Sequence, residues 1–98
     1  MIIDKKIEQA TLVLAPAGRL DSTTAPELEA ELMGSCDGIN SLILDLKSLE
    51  YISSAGLRVI LKAQKLMKSK GKMKITGANA VVMEVFEITG FSDFLTIE

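Results

Sequence analysis

The sequence predicts an α/β fold: a mainly parallel sheet with an antiparallel hairpin at its N-terminus and helices mostly on one face. Three observations carry that prediction. From Leu20 onward, strand-like and helix-like segments alternate, and helices between strands imply parallel pairing through right-handed crossovers. At the start, two strand-like segments are separated by only Gln9 and Ala10, which is too short for a crossover and right for a hairpin. Segment 41–46 is continuously apolar up to Asp45, as a strand in the centre of a sheet is. A chain of 98 residues holds one such domain, 1–98.

The elements follow in order. Ile2 to Glu8 and Thr11 to Leu20 form the hairpin, with Pro16 and Gly18 marking an edge position or a bend in the second strand. Thr24-Ala25-Pro26-Glu27 reads as a capping box: the threonine hydroxyl accepts from the Glu27 amide, and Pro26 sits where its missing donor does no harm. Leu28, Leu32 and Met33 then line one side of a helix whose other side carries Glu27, Glu29 and Glu31. Leu57, Ile60, Leu61 and Met67 form the apolar side of a second helix, opposite Arg58, Lys62, Lys65 and Ser69, and Gly71 ends it. Lys72 to Thr76 alternates with period two, as a strand with one solvated face does. Val82, Val85 and Phe86 place a third helix over 80–89, stopped by Gly90, and Phe94 to Ile97 offers a last short strand. The order is ββαβαβαβ.

Composition excludes several functions. Histidine and tryptophan are absent and Cys36 is the single cysteine, so the usual acid–base residue, most zinc sites and an internal disulfide are excluded. Cys36 has no basic neighbour to activate it and reads as an inert thiol. No histidine or Ser-x-x-Lys arrangement activates Ser53 or Ser54, and no Gly-x-x-x-x-Gly-Lys loop is present. The expectation is a protein that is not an enzyme and takes no cofactor or metal.

The charge is uneven. The first 50 residues hold nine acids against four bases, and all seven bases of the second half lie between Arg58 and Lys74. That stretch reads as a solvated helix face; a net charge of −2 and the lack of interleaved aromatics argue against nucleic acid as a partner. Asp4, Lys5 and Lys6 follow Met1-Ile2-Ile3 at once, leaving no apolar signal region, and no window is apolar enough for a membrane span. A cytoplasmic setting is expected.

Parallel strands bring their C-terminal ends to one edge, where open α/β sheets place functional loops. Three loops are expected there: Leu20-Asp21-Ser22-Thr23, Tyr51-Ile52-Ser53-Ser54-Ala55-Gly56 and Gly77-Ala78-Asn79. A Ser–Ser pair before a helix is explained by capping alone. Gly56 is not, since glycine in a first helical turn costs about 0.5–1 kcal/mol relative to alanine, and close approach by another surface would justify it. Asp45 is expected to bond backbone amides at its strand end.

Gly18-Arg19-Leu20-Asp21 after a hairpin, Leu44-Asp45-Leu46 leading through Tyr51-Ile52 into Ser53-Ser54-Ala55-Gly56-Leu57, and Phe86-Glu87-Ile88-Thr89-Gly90-Phe91 together resemble the STAS domain of bacterial anti-sigma factor antagonists. The resemblance covers nearly the whole chain and implies a STAS-like βα superhelix. It also implies a phosphorylated serine, Ser54, modified by a partner that is both an anti-sigma factor and a serine kinase, and restored by a serine phosphatase. Only the unphosphorylated form would bind that partner and release the sigma factor. Asp21 corresponds to a residue of the partner-binding surface, and Ser22, Thr23, Ser53, Ala55, Gly56 and Arg58 surround it. Two positions depart from the family pattern: Ser53 stands where aspartate is frequent, and Ala55 where a second hydroxyl is. The chain also stops after its last strand, where many members add a C-terminal helix. An alternative role in the same family is an adaptor subunit of a larger complex, such as a lipid-transport assembly, without phospho-switching.

Overall fold

The computed structural model of the protein describes all 98 residues. Strand β1 (Ile2–Glu8) turns at Gln9 and Ala10 into β2 (Thr11–Leu20), antiparallel, with Glu8 opposite Thr11. Gln9 takes φ 55°, a left-handed backbone of the kind tight hairpin turns require. Helix α1 (Ala25–Ser35) buries Ala25, Leu28 and Leu32. Strand β3 (Ser41–Asp45) lies parallel beside Thr11–Leu14 of β2, and β5 (Lys72–Thr76) lies parallel beside β3. Between them come β4 (Leu49–Ile52) and the long helix α2 (Ser54–Lys70); α3 (Ala80–Thr89) and a 3-10 turn at Phe91–Asp93 complete the chain.

Two elements differ from the predicted order. Leu49–Ile52 is a strand, parallel to the end of β2, so Tyr51 and Ile52 belong to the sheet and not to a loop. Its four residues are too few for a periodicity to stand out. The last predicted strand shrinks to one bridge, Ile97 opposite Ile75.

The sheet order β1-β2-β3-β5, with β4 also on β2, explains the proline in β2. Pro16 is buried in an interior strand, not on an edge. Pairing with β3 ends at Leu14 and pairing with β4 begins at Gly18, so the missing Pro16 donor falls in the gap between two neighbours. Gly18, at φ 98°, opens that second segment by donating to the Ser48 carbonyl at 3.0 Å.

Leu12 and Leu14, Leu42 and Leu44, and Met73 and Ile75 form the buried face of the sheet beneath α1 and α2. On the other face Val13, Ile43 and Lys74 lie side by side, half-buried, with Lys72 exposed. Phe86 and Val82 of α3 are fully buried, and α3 packs next to β4. Gly71 ends α2 as expected, its amide donating to the Met67 carbonyl at 2.7 Å. Its backbone is extended, however, and glycine is required because a Cβ there would run into the Asn40 carbonyl oxygen.

Candidate functional site at the C-terminal edge of the sheet

The loop after β2 is organised by Asp21. Its Oδ1 accepts the Thr23 amide at 3.0 Å and the Thr24 amide at 3.2 Å. Those amides, Thr24 first, hold the carboxyl below the usual carboxylate range; burial opposes them and Arg19 adds a smaller attraction. The predicted capping box does not form. Thr24 Oγ1 points back into the loop, accepting the Asp21 amide at 2.9 Å and donating to the Arg19 carbonyl at 2.7 Å. Glu27 pairs with the terminal ammonium at 3.2 Å. Asp21, four residues before α1, instead holds the turn that leads into the helix through the Thr23 and Thr24 amides, and the Glu27 amide goes to the Thr24 backbone carbonyl at 3.0 Å.

The loop after β4 is tied to the first by a single backbone bond, Ser53 N–H to the Leu20 carbonyl at 2.9 Å. Ser53 is the N-cap of α2 with an extended backbone, but its hydroxyl makes no capping bond; Oγ is buried without a partner. Ser54 occupies the first helical position and is exposed. The close approach expected at Gly56 comes from inside the domain: Gly56 is buried, and a Cβ would lie 2.8 Å from both Leu20 Cγ and Ile52 Cγ1. Ser22, Thr23 and Arg58 are exposed and Asp21, Ser53 and Ala55 half-buried, so every residue expected around Ser54 except buried Gly56 reaches the surface.

The third loop goes elsewhere. Asn79 caps α3, its Oδ1 accepting the Val82 amide at 2.8 Å, while its Nδ2 donates to the Leu49 carbonyl at 3.0 Å. Gly77 lies against Lys47 in the turn between β3 and β4. Asp45 bonds the Lys47 amide at 3.1 Å, as expected of a strand-end carboxylate.

Two features were not read from the sequence. A groove of about 590 Å³ runs between α1 and α2 beside Ala55, lined by Ala30, Met33 and Val59 among others. Arg19 also stacks on the Tyr51 ring at 4.4 Å, a pairing that the register of β2 and β4 creates between residues far apart in the chain.

The family model for the STAS domain matches residues 2–98. The chain belongs to the STAS domain family. This STAS domain is 44% identical over 82 residues to BtrV of Bordetella bronchiseptica, provisionally named an anti-sigma factor antagonist, covering 82% of this chain and 71% of that protein. Its backbone matches an anti-sigma factor antagonist from Mycobacterium paratuberculosis with a TM-score of 0.89, at 18% identity over 98% of this chain and 83% of that one. It also matches the Bacillus cell fate determinant SpoIIAA in its phosphorylated form, with a TM-score of 0.77, at 15% identity over 99% of this chain and 91% of that one. Among the helices of this STAS domain none is long and apolar enough to cross a membrane.

Proposed function

We propose that this STAS domain is an anti-sigma factor antagonist switched by phosphorylation of Ser54. In its unphosphorylated form it binds an anti-sigma factor that is also a serine kinase and so releases the sigma factor; phosphorylation ends that binding, and a serine phosphatase restores it. The observation that carries the reading is the placement of Ser54: exposed, in the first turn of α2, and beside the Asp21 loop through the Ser53–Leu20 bond. The names of its relatives support it, as does the phosphorylated form of SpoIIAA on the same fold.

The electrostatics are consistent with a switch at the surface. Phosphate adds about −1.5 to −2 charge at pH 7, and the helix dipole and free first-turn amides of α2 favour it there. The fold therefore tolerates the modification. A partner surface matched to a neutral hydroxyl next to the Asp21 carboxylate does not, because it then meets a bulky dianion. The domain is acted on, and no reaction is assigned to it.

The test is affinity capture with wild type, Ser54→Ala and Ser54→Asp. A kinase-fold anti-sigma factor held by the first two and lost by the third supports the reading. Equal capture by all three, or failure of Ser54 to accept phosphate from the captured kinase, overturns it and leaves the adaptor role.

A further inference from the structure

We propose that β1 is a self-pairing edge, through which two copies of this chain join antiparallel about a two-fold axis into one continuous sheet. Strand β1 ends the sheet and has no neighbour beyond it. The direction of its backbone groups is set by the rest of the sheet. Ala10 O accepts from Asn40 and Ser41, so the even-numbered residues of β2 bond towards β3 and the odd-numbered ones towards β1. Thr11, Val13, Ala15 and Ala17 face Glu8, Lys6, Asp4 and Ile2. Ile3, Lys5 and Ile7 consequently turn their N–H and C=O groups outward, unpaired.

Such an edge normally carries a defence: a proline, a bulge, or charged side chains standing in the way. Of these β1 has charge alone, with Asp4, Lys6 and Glu8 exposed on one face and Lys6 paired to Glu8 at 2.6 Å. Ile2–Glu8 contains no proline or glycine and its pairing with β2 runs without a break. Its central lysine is folded back onto α1, with Lys5 Nζ 3.0 Å from Glu31 Oε1 and 3.3 Å from Ser35 Oγ. The edge also exposes large apolar side chains, Ile2 at 72% and Ile7 at 53%.

The charges then select a second copy as the occupant. Pairing centred on Lys5 sets Ile3 against Ile7 and Asp4 against Lys6, each twice by symmetry, and Lys5 once against its own copy, a like pair whose ammoniums are each drawn aside to Glu31; it matches every outward N–H to a carbonyl. Sliding two residues either way places Asp4 opposite Asp4, or Lys6 opposite Lys6 and Asp4 opposite Glu8. Only the centred register joins unlike charges. The two-fold directs the Ser54 loops of the copies to opposite ends of the joined sheet, leaving both open.

Sedimentation equilibrium of the full chain tests this, with circular dichroism to establish folding. Wild type is expected to reach the mass of two chains. Lys6→Asp, which sets acids opposite each other twice, raises the dissociation constant about tenfold or more. Adding Asp4→Lys to Lys6→Asp reverses both pairs and restores the dimer. Lys5→Pro removes an outward donor without touching the β2 ladder and yields a monomer. A wild type that stays monomeric at every concentration overturns the proposal. So does a dimer indifferent to Lys6→Asp, or a folded double variant no tighter than Lys6→Asp alone.

Discussion

Gly56 lies so close to Leu20 that a Cβ on it would sit 2.8 Å from the leucine Cγ. Leu20 is itself fully buried and ends the strand from which the Asp21 loop departs. The first turn of α2 thus rests on the last residue of β2, and the Ser53–Leu20 bond locks the same junction. Gly56→Ala is expected to destabilise by about 1–3 kcal/mol, the cost of overpacking a filled core, measured as a shift in urea midpoint. An unchanged midpoint would mean that the junction yields freely and does not set the Ser54 loop.

Asp21 makes stability depend on pH. Because the Thr24 and Thr23 amides depress its carboxyl in the folded state, its contribution is fully present above the ordinary carboxylate range and disappears as pH falls through the depressed value. Asp21→Asn should therefore be less stable than wild type at neutral pH, with the gap closing in acid. Carbon-detected NMR titration of the carboxyl, expected to turn below the usual aspartate range, checks the cause directly.

Asn79 joins α3 to β4 through both ends of one amide. Asn79→Ala removes a cap worth about 1 kcal/mol and leaves the Leu49 carbonyl without its donor, so the total loss exceeds that of the cap alone. Asn79→Asp keeps a capping oxygen but sets it against that carbonyl. Thermal melts should therefore place both variants below wild type.

Ser54→Asp should leave the fold intact. A carboxylate in the first turn of α2 gains about 0.3–1 kcal/mol from the helix dipole, so its melting temperature is expected at or slightly above that of Ser54→Ala. A fall of several degrees would place the effect of phosphorylation in the fold and not at the partner surface.

Much of this was legible locally. Gln9 and Ala10 between two strand-like runs, Ser41–Leu46 in the sheet centre, Gly71 and Gly90 as helix stops, and the lysine face of α2 are all set by neighbouring residues. Local pattern misled where a side chain had a choice of partner. Thr24 and Glu27 match a capping box, yet Thr24 Oγ1 turns to the Arg19 carbonyl and Glu27 to the terminal ammonium, and the Glu27 amide is met by the Thr24 backbone carbonyl instead. Short β4 was missed because its identity lies in its register with β2.

By itself, the sequence determined the α/β class, the hairpin, the three helices and the family resemblance that singles out Ser54, since each rests on periodicity, turn chemistry or motif order along the chain. It also determined what equipment is absent, a histidine above all. Only the tertiary structure decided that Gly56 is a core contact, that Pro16 falls between two strand neighbours, that Asn79 binds β4, and that Ser53 bonds to Leu20 and so joins the loops after β2 and β4. Those facts depend on which strand stands beside which, and pairing between distant segments is fixed by burial and backbone hydrogen bonding across the sheet, which no local pattern contains.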